Sequence, residues 1–202
     1  ISDKLKVYNE LNLIYVGTLN NRNIDRLVLG VIEYCKRNNA KYPDIKLTII
    51  GDGYGSELQE LHELVENNKL EDTISILGRI PHDRLKPYFD SHNIGVSYIP
   101  ITKYYDNQPP TKTFEYLTSG MLVLATGTSE NINVIDNSNG VIIGDSPEDV
   151  CRGIEVLSQN LKHYSSEAII ENSKKYSWSK IIKDFDYYLE QITNPKMSHN
   201  SN

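Results

Sequence analysis

The chain has 202 residues, of which 39% are hydrophobic and 24% are charged, and this is the size and composition of one soluble globular domain with a sizeable core. Its formal net charge of -6 argues against a nucleic-acid partner, because a protein that binds the phosphate backbone carries an excess of positive charge. No apolar run approaches the roughly 18 residues of a membrane-spanning helix, and Ile1 to Asn9 lack the layout of a signal peptide, so we expect no membrane span in this segment.

Short apolar stretches alternate with amphipathic ones over the first three quarters of the chain. The first unit is a predicted strand at Leu11–Val16 that ends at Gly17, followed by a predicted helix at 24–34. Further strands are predicted at 46–50, 73–77, 93–98, 122–126 and 140–143, and further helices at 56–66 and 83–90. This alternation predicts an α/β, Rossmann-like fold, in which helices cover both faces of a parallel sheet of about six strands. Sheets of this kind bind ligands beyond the carboxyl ends of their strands.

The last quarter of the chain keeps helical spacing with no predicted strand in between. We predict helices at 148–159, 165–176 and 179–192, and the last one places Ile181, Phe185 and Leu189 on one side. That apolar side needs a surface to lie on. We therefore assign residues 1–192 to one domain and expect the polar residues 193–202 to form a disordered tail.

The two cysteines, Cys35 and Cys151, are far apart in the chain, and neither belongs to a CxxC pair. This spacing predicts free buried thiols, and neither a disulfide nor a metal site. We expect the chain to be cytoplasmic, alone or as the cytosolic part of a larger protein.

A glycine-rich loop, Gly51-Asp52-Gly53-Tyr54-Gly55, lies between a predicted strand and a predicted helix, which is the setting of a dinucleotide-binding fingerprint. Its third glycine comes one position too early for GxGxxG, and the Asp52 carboxylate would lie close to the pyrophosphate. Asp72, about twenty residues on, stands at the start of a strand and not at its end, where an acid that binds the ribose is expected. The pattern therefore disfavours a dinucleotide oxidoreductase.

Asp184-Phe185-Asp186 matches the DxD pattern that holds a divalent ion in many nucleotide-sugar enzymes. It falls inside the last predicted helix, where side chains two residues apart point in different directions and do not easily share one ion. His62-Glu63 lacks the second histidine of HExxH. We therefore expect no metal site.

The segment from Asp106 to Gly120 combines several features of an anion site. Pro110 forces Pro109 into an extended conformation and is itself suited to a first helical position, so a helix must begin here. The first-turn amides of Thr111, Lys112 and Thr113 are then expected to be free. Such a helix start attracts phosphate, and Lys112 adds a full positive charge at the same end.

Glu115 lies three residues after Lys112 and four after Thr111, so all three side chains fall along one helix face. A carboxylate about one turn from a diphosphate is well placed to accept hydrogen bonds from ribose hydroxyls. The alternative is a surface ion pair between Lys112 and Glu115, worth only ~0.2–0.5 kcal/mol. The pattern by itself favours neither interpretation.

This segment, PTKTFEYLTSG at 110–120, resembles the donor-site segment of group 1 (family 4) glycosyltransferases. Other stretches resemble that family in the same order and spacing, over about 11–192 in all: YVGTL at 15–19 with Arg22 and Asp25, IIGDG at 49–53, ILGRIP at 76–81 and YSW at 176–178. The order of the motifs is more specific than any one of them.

The resemblance implies a GT-B protein, in which two Rossmann-like domains face each other across a cleft. The C-terminal domain holds the nucleotide-sugar and the N-terminal domain holds the acceptor, so this chain would be the donor-binding half and its missing partner the acceptor domain. The implied activity is a retaining, metal-independent transfer of a sugar from a UDP- or GDP-sugar without a cofactor, in polysaccharide or glycoconjugate synthesis. Any membrane association would then come from the absent half.

The resemblance also implies residue roles. Arg22 and Lys112 would be catalytic, because their positive charges would stabilise the leaving diphosphate as a metal does elsewhere. Glu115 would accept hydrogen bonds from the ribose. The other implied nucleotide-binding residues are Gly17, Thr18 and Thr111 near the diphosphate, and Arg79 and Ile80 beside the base.

Two positions depart from the family pattern. Eight residues before the ribose-binding glutamate, many members have another glutamate that contacts the donor sugar; this chain has Asn107 there, with Asp106 beside it. Sugar contact is therefore expected from Asp106 or Asn107. The family also often has arginine where this chain has Thr18, so phosphate binding would depend more on Arg22 and Lys112.

Two other functions remain alternatives. One is an epimerase-like GT-B enzyme that acts on the nucleotide-sugar without an acceptor, which an assay for isomerised donor would detect. The other is a non-catalytic Rossmann-like binding module, in which Lys112 and Glu115 are only a surface pair.

Overall fold

The structure, a computed structural model, describes residues 4–38 and 44–193. Its strands are β1 (Leu11–Val16), β2 (Ile45–Ile50), β3 (Ile74–Ile76), β4 (Ile94–Ser97), β5 (Leu122–Thr126) and β6 (Gly140–Ile143). They form one sheet in the order β3-β2-β1-β4-β5-β6, and every neighbouring pair is parallel. The predicted α/β fold with a six-stranded parallel sheet is confirmed, and β1, β5 and β6 have the predicted bounds.

The described helices are α1 (Ile24–Arg37), α2 (Glu57–Asn67), α3 (Lys86–Ser91), α4 (Thr111–Thr118), α5 (Ser129–Ile132), α6 (Pro147–Asn160), α7 (Ser166–Ser173) and α8 (Trp178–Thr193). Helix α1 packs against α2 and α6. Helix α4 packs on β4, β5 and α7. Every residue of β4 and β5 is buried, because helices cover the sheet on both faces.

Three details differ from the sequence predictions. The helix predicted at 83–90 is split into a 3-10 turn at His82–Arg84 and α3, and the helix predicted at 165–176 gives way to a 3-10 turn after Ser173. The short α5 was not predicted. Thr193 ends α8, and the rest of the predicted tail, 194–202, lies outside the described residues.

Both cysteines are free, as predicted; Cys151 is buried, whereas Cys35 is only partly so. None of the helices in the described ranges is both long and apolar enough to cross a membrane. The amphipathic helix predicted near the end of the chain is α8, and its apolar side chains are exposed: 75% of Trp178, 61% of Phe185 and 64% of Tyr188. Its apolar face therefore lacks a covering surface within the described part of the chain.

A close contact fixes α4 against the middle of the sheet. A Cβ atom added to Gly95, in β4, would lie only 2.1 Å from Cγ of Tyr116, so only glycine lets the tyrosine ring cross the strand. The buried Tyr116 hydroxyl then accepts a hydrogen bond of 3.0 Å from the backbone amide of Val16, at the end of β1. The start of α4 is thereby held beside the carboxyl ends of β1 and β4.

Candidate functional site

A cleft of about 240 Å³ opens where β1 and β4 lie side by side. The chain leaves these two strands in opposite directions along the sheet, and this reversal of strand order is where doubly wound sheets bind ligands. The cleft brings together five of the residues predicted from the sequence to form a donor site: Gly17, Thr18, Arg22, Thr111 and Lys112.

A second cleft of about 270 Å³ adjoins the first and extends toward β2. Val16, Gly17 and Lys112 line both clefts. Arg79 and Ile80, the residues expected beside the base, line the second one. The residues predicted for the diphosphate and for the base therefore border two connected parts of one surface.

Arg22 presents an unneutralised positive charge in the first cleft. Its guanidinium carbon lies 4.2 Å from the centre of the Tyr105 ring. Its Nη1 atom is buried and has no hydrogen-bond partner among the described residues. Arg22 follows Asn21 and precedes Asn23, which have φ angles of 54° and 52° in the left-handed region that asparagine tolerates better than most residues. This tight loop directs a cation into the cleft without pairing it to a carboxylate.

The start of α4 offers fewer free amides than the sequence predicts. The Thr111 amide donates to the Pro109 carbonyl at 3.0 Å, and the Thr113 amide donates to the Pro110 carbonyl at 2.9 Å. Pro110 has ψ of 76°, outside the helical range, and this turn brings the proline carbonyls back toward the first amides. Only the Lys112 amide, of the three predicted donors, lacks an acceptor among the described residues. The expectation that Thr111 and Thr113 keep free amides is wrong.

Lys112 and Glu115 form the ion pair that the sequence left open. The Lys112 Nζ atom lies 2.7 Å from Oε2 of Glu115, with 27% and 21% of the two side chains exposed. The same carboxylate oxygen lies 3.8 Å from Nε2 of His82. Glu115 lines a separate, apolar groove of about 330 Å³ together with Phe114 and Trp178. Thr111 lines both this groove and the first cleft, whereas Glu115 itself lines neither of the two clefts.

Asp106 and Asn107 have different surroundings. The Asp106 carboxylate accepts hydrogen bonds from the Ser129 amide at 2.8 Å and from the Ser129 hydroxyl at 2.7 Å, at the start of α5. These bonds stabilise the charged form and lower the pKa of Asp106 below its ordinary value. The side chain of Asn107 is exposed and makes no hydrogen bond within the described residues. Asp106 thus has a local structural partner, and Asn107 has none.

A buried polar network under the cleft escaped the sequence analysis. The Thr113 hydroxyl lies 2.8 Å from the Ser97 hydroxyl and 2.9 Å from Oδ1 of Asn131. The Asn131 amide group in turn donates to the Thr126 carbonyl at 3.0 Å. The only signal in the sequence is the presence of small polar residues in or beside apolar segments. This network ties α4 to β4, β5 and α5, and so fixes Lys112 relative to the strand ends.

The two disfavoured motifs have structural roles. A Cβ atom on Gly51 would lie 1.9 Å from the Gly17 carbonyl oxygen, so this glycine permits the close approach of the ends of β1 and β2. In the DxD motif, Asp184 pairs with Lys180 one turn earlier on α8, at 2.5 Å. Within the described ranges, no group of three or more His, Cys, Asp or Glu side chains could hold a metal ion.

Comparison with known proteins gives a family match and one curated relative. The family model described as "Glycosyl transferases group 1" matches residues 10–160. The chain is 26% identical over 165 residues to one of the subunits of the phosphatidylinositol N-acetylglucosaminyltransferase of Arabidopsis thaliana. That alignment covers 79% of this chain and 33% of the relative, so the chain spans about a third of the relative's length.

Several solved structures share the fold. A glycosyltransferase from Rickettsia africae is similar over 96% of this chain and 49% of its own, with a TM-score of 0.74 and 16% identity. The pneumococcal O-GlcNAc transferase GtfA, in complex with UDP and GlcNAc, is similar over 95% of this chain and 38% of its own, with a TM-score of 0.67 and 18% identity. The C-terminal domain of a glycosyl transferase group 1 family protein from Francisella tularensis is similar over 85% of this chain and 89% of its own, with a TM-score of 0.65 and 18% identity.

Proposed function

The chain belongs to the group 1 glycosyl transferases, whose family model matches residues 10–160, and from that premise we propose that it binds a nucleotide-sugar donor at the junction of β1 and β4. In this proposal it is the donor-binding, C-terminal part of a retaining, metal-independent glycosyltransferase of the hexosyltransferase type. The product belongs to polysaccharide or glycoconjugate synthesis.

The observation that carries this proposal is the state of Arg22. A buried guanidinium nitrogen without a partner has a strong requirement for an acceptor, because unpaired buried polar groups are costly. It lies in a cleft that Lys112 also lines, and the Lys112 amide needs an acceptor as well. A diphosphate supplies several negatively charged acceptor oxygens and satisfies both requirements at once.

In this proposal the base and the ribose of the donor would bind at the second cleft, which adjoins the first. Arg79 and Ile80 border it, so the base would lie there, and Glu115 would reach the ribose after separating from Lys112. The presence of UDP in the pneumococcal transferase of similar fold supports a UDP-sugar as the first donor to test, with a GDP-sugar as the second. Sugar contact is assigned to the exposed side chain of Asn107, since the Asp106 carboxylate is already bound to Ser129.

The proposed chemistry uses fixed positive charge. As the bond between the anomeric carbon and the diphosphate breaks, negative charge develops on the leaving oxygen. In this proposal the Arg22 guanidinium, the Lys112 ammonium and the Lys112 amide would contact that oxygen, since both residues line the first cleft. Preorganised donors of this kind stabilise developing charge without reorganising at the moment of reaction, so the step needs neither a metal ion nor a cofactor.

The acceptor belongs to the part of the protein that this chain does not include. The chain spans about a third of its plant relative, and the other domain of a GT-B enzyme would supply acceptor contacts. The 202-residue chain alone is therefore expected to bind donor nucleotide but to transfer little or no sugar.

Calorimetric titration of the chain with UDP and with GDP tests the proposal. Arg22→Ala and Lys112→Ala should each weaken binding by roughly tenfold or more, because each removes a charge-assisted hydrogen bond. Arg152→Ala is the matched control, since this arginine is exposed on α6 and pairs with Glu148. Absence of binding, or binding that is indifferent to Arg22 and Lys112, would refute the proposed function.

A further inference from the structure

Tyr105 was not identified by any sequence pattern, yet it contacts the most unusual side chain of the site. Its ring lies under the guanidinium of Arg22, with 4.2 Å between the guanidinium carbon and the ring centre. This is the geometry of a cation–π interaction. The aromatic face stabilises the positive charge but uses none of the N–H groups, which point outward in the plane of the guanidinium.

The Tyr105 ring is the described contact that can orient Arg22. No carboxylate among the described residues forms an ion pair with it, and Nη1 has no hydrogen bond. An arginine side chain has many rotamers, so a site that uses one must restrict it by some other contact. The ring of Tyr105 is such a contact, and it orders the cation without neutralising it.

The loop around Tyr105 is itself well anchored. The Tyr105 amide donates to the Thr102 carbonyl at 3.0 Å, and the Gln108 amide donates to the Tyr105 carbonyl at 3.1 Å. The next residue, Asp106, fixes the loop to the start of α5 through its two hydrogen bonds to Ser129. The backbone that carries the ring is therefore anchored on both sides by hydrogen bonds of the protein itself.

We propose that Tyr105 is a positioning residue, whose ring holds the Arg22 guanidinium at the wall of the cleft and leaves its N–H groups unpaired for an anionic oxygen. Asp106 assists by anchoring the loop through Ser129. The identity of the anion as the diphosphate of a sugar donor rests on the proposed function, but the positioning role applies to any diphosphate at this place.

Titration with inorganic pyrophosphate and with UDP tests the role. Tyr105→Leu removes the aromatic face and should weaken both ligands by about fivefold, in line with the strength of a partly buried cation–π contact. Tyr105→Phe keeps the face and should stay within about twofold of the wild type. Tyr104→Leu is the matched control, because the Tyr104 ring is 74% exposed and packs only edge-on against Tyr105.

A double-mutant cycle separates positioning from a general structural effect. In an Arg22→Ala background, Tyr105→Leu should cause no further loss of pyrophosphate affinity, because there is no guanidinium left to position. Additive losses from the two substitutions would overturn the inference.

Ligand-free NMR gives a readout independent of binding. The Arg22 side-chain protons should be shifted upfield by the Tyr105 ring in the wild type and in Tyr105→Phe, but not in Tyr105→Leu. Absence of that shift in the wild type overturns the inference.

Pyrophosphate binding that depends on Tyr105, together with no added affinity for UDP, would support positioning while refuting the nucleotide-sugar function. Failure to bind either ligand would refute both.

Discussion

Lys112 and Glu115, two residues that the proposed function assigns to different parts of the donor, form an ion pair with 2.7 Å between Nζ and Oε2. Each residue would therefore have to change partner when a donor binds. The pair lies in the first half of α4, where Lys112 lines both clefts and Glu115 lines the neighbouring apolar groove. Under the proposed function, the carboxylate would compete with the diphosphate for the lysine.

Glu115→Gln should change the affinities for two ligands in opposite directions. Removal of the carboxylate charge frees Lys112, so inorganic pyrophosphate should bind about two- to fivefold more tightly, the range of a weak ion pair. UDP should bind more weakly, because an amide is a poorer acceptor for ribose hydroxyls than a carboxylate. Parallel calorimetric titrations measure both. A uniform change for the two ligands would contradict the assignment of Glu115 to the ribose.

Thr113→Val should destabilise the protein by about 1–3 kcal/mol, because Oδ1 of the buried Asn131 would lose its nearer donor and keep only the Ser97 hydroxyl at 3.5 Å. Urea denaturation measures the free energy of unfolding. Thr118→Val on the same helix is the control, since the Thr118 hydroxyl bonds only to carbonyls of its own turn and is partly exposed. Equal losses in the two variants would mean that the network under the cleft contributes nothing specific.

Gly95→Ala should cost roughly 3 kcal/mol or more of stability and also impair nucleotide binding, because overpacking would push the Tyr116 ring away from β4. The displaced hydroxyl could no longer accept from Val16, so α4 would move relative to the strand ends. Gly127→Ala is the matched control, since its nearest new contact is the Ile142 side chain at 3.3 Å. Thermal melting and UDP titration should show a clear difference between the two alanine variants.

Lys6 should make stability rise with pH in the alkaline range. Burial disfavours its charged form and lowers its pKa to about 8 from an ordinary value of 10.5. Between these two pH values the unfolded chain binds more protons than the folded one, so the free energy of unfolding increases with pH. Below about pH 8 the Lys6 contribution does not change with pH, because Lys6 is protonated in both states.

The measurement is urea denaturation of wild type and Lys6→Met from neutral pH to pH 10.5. The difference in unfolding free energy between the two proteins should change only between about pH 8 and pH 10.5. The hydrogen bond from Lys6 Nζ to the Phe89 carbonyl is absent in the variant and contributes a constant offset. A difference that does not vary with pH would contradict the lowered pKa.

The sequence predicted correctly those elements that depend on residues close together in the chain. The bounds of β1 and β5 were predicted correctly, because a buried strand is an apolar run and each is followed by a glycine-containing turn. The start of α4 was predicted from Pro110 to within one residue: this proline was expected at the first helical position and is instead the N-cap, so that α4 begins at Thr111. In contrast, α5 has only four residues, and it depends on Asp106, 23 positions away, for hydrogen bonds at its start.

The sequence grouped the cations of the first cleft correctly, because arginine and lysine carry their charge in any fold. Arg22 and Lys112 both line the first cleft, and their role toward a diphosphate stays a prediction. The amides at the start of α4 were predicted wrongly, because the ψ angle of Pro110 determines where its carbonyl points and the sequence does not specify it. Tyr105 is one of 14 tyrosines, and only the folded loop distinguishes it from the others.

Trp178 is the only tryptophan of the chain, it is 75% exposed, and it lines the apolar groove that Glu115 also borders. The protein therefore contains a native fluorophore beside its candidate site, with no competing indole. Covering this side chain should shift its emission to shorter wavelength and protect it from a soluble quencher such as iodide. Events at the junction of α4 and α8 can thus be followed optically in real time without attaching a label.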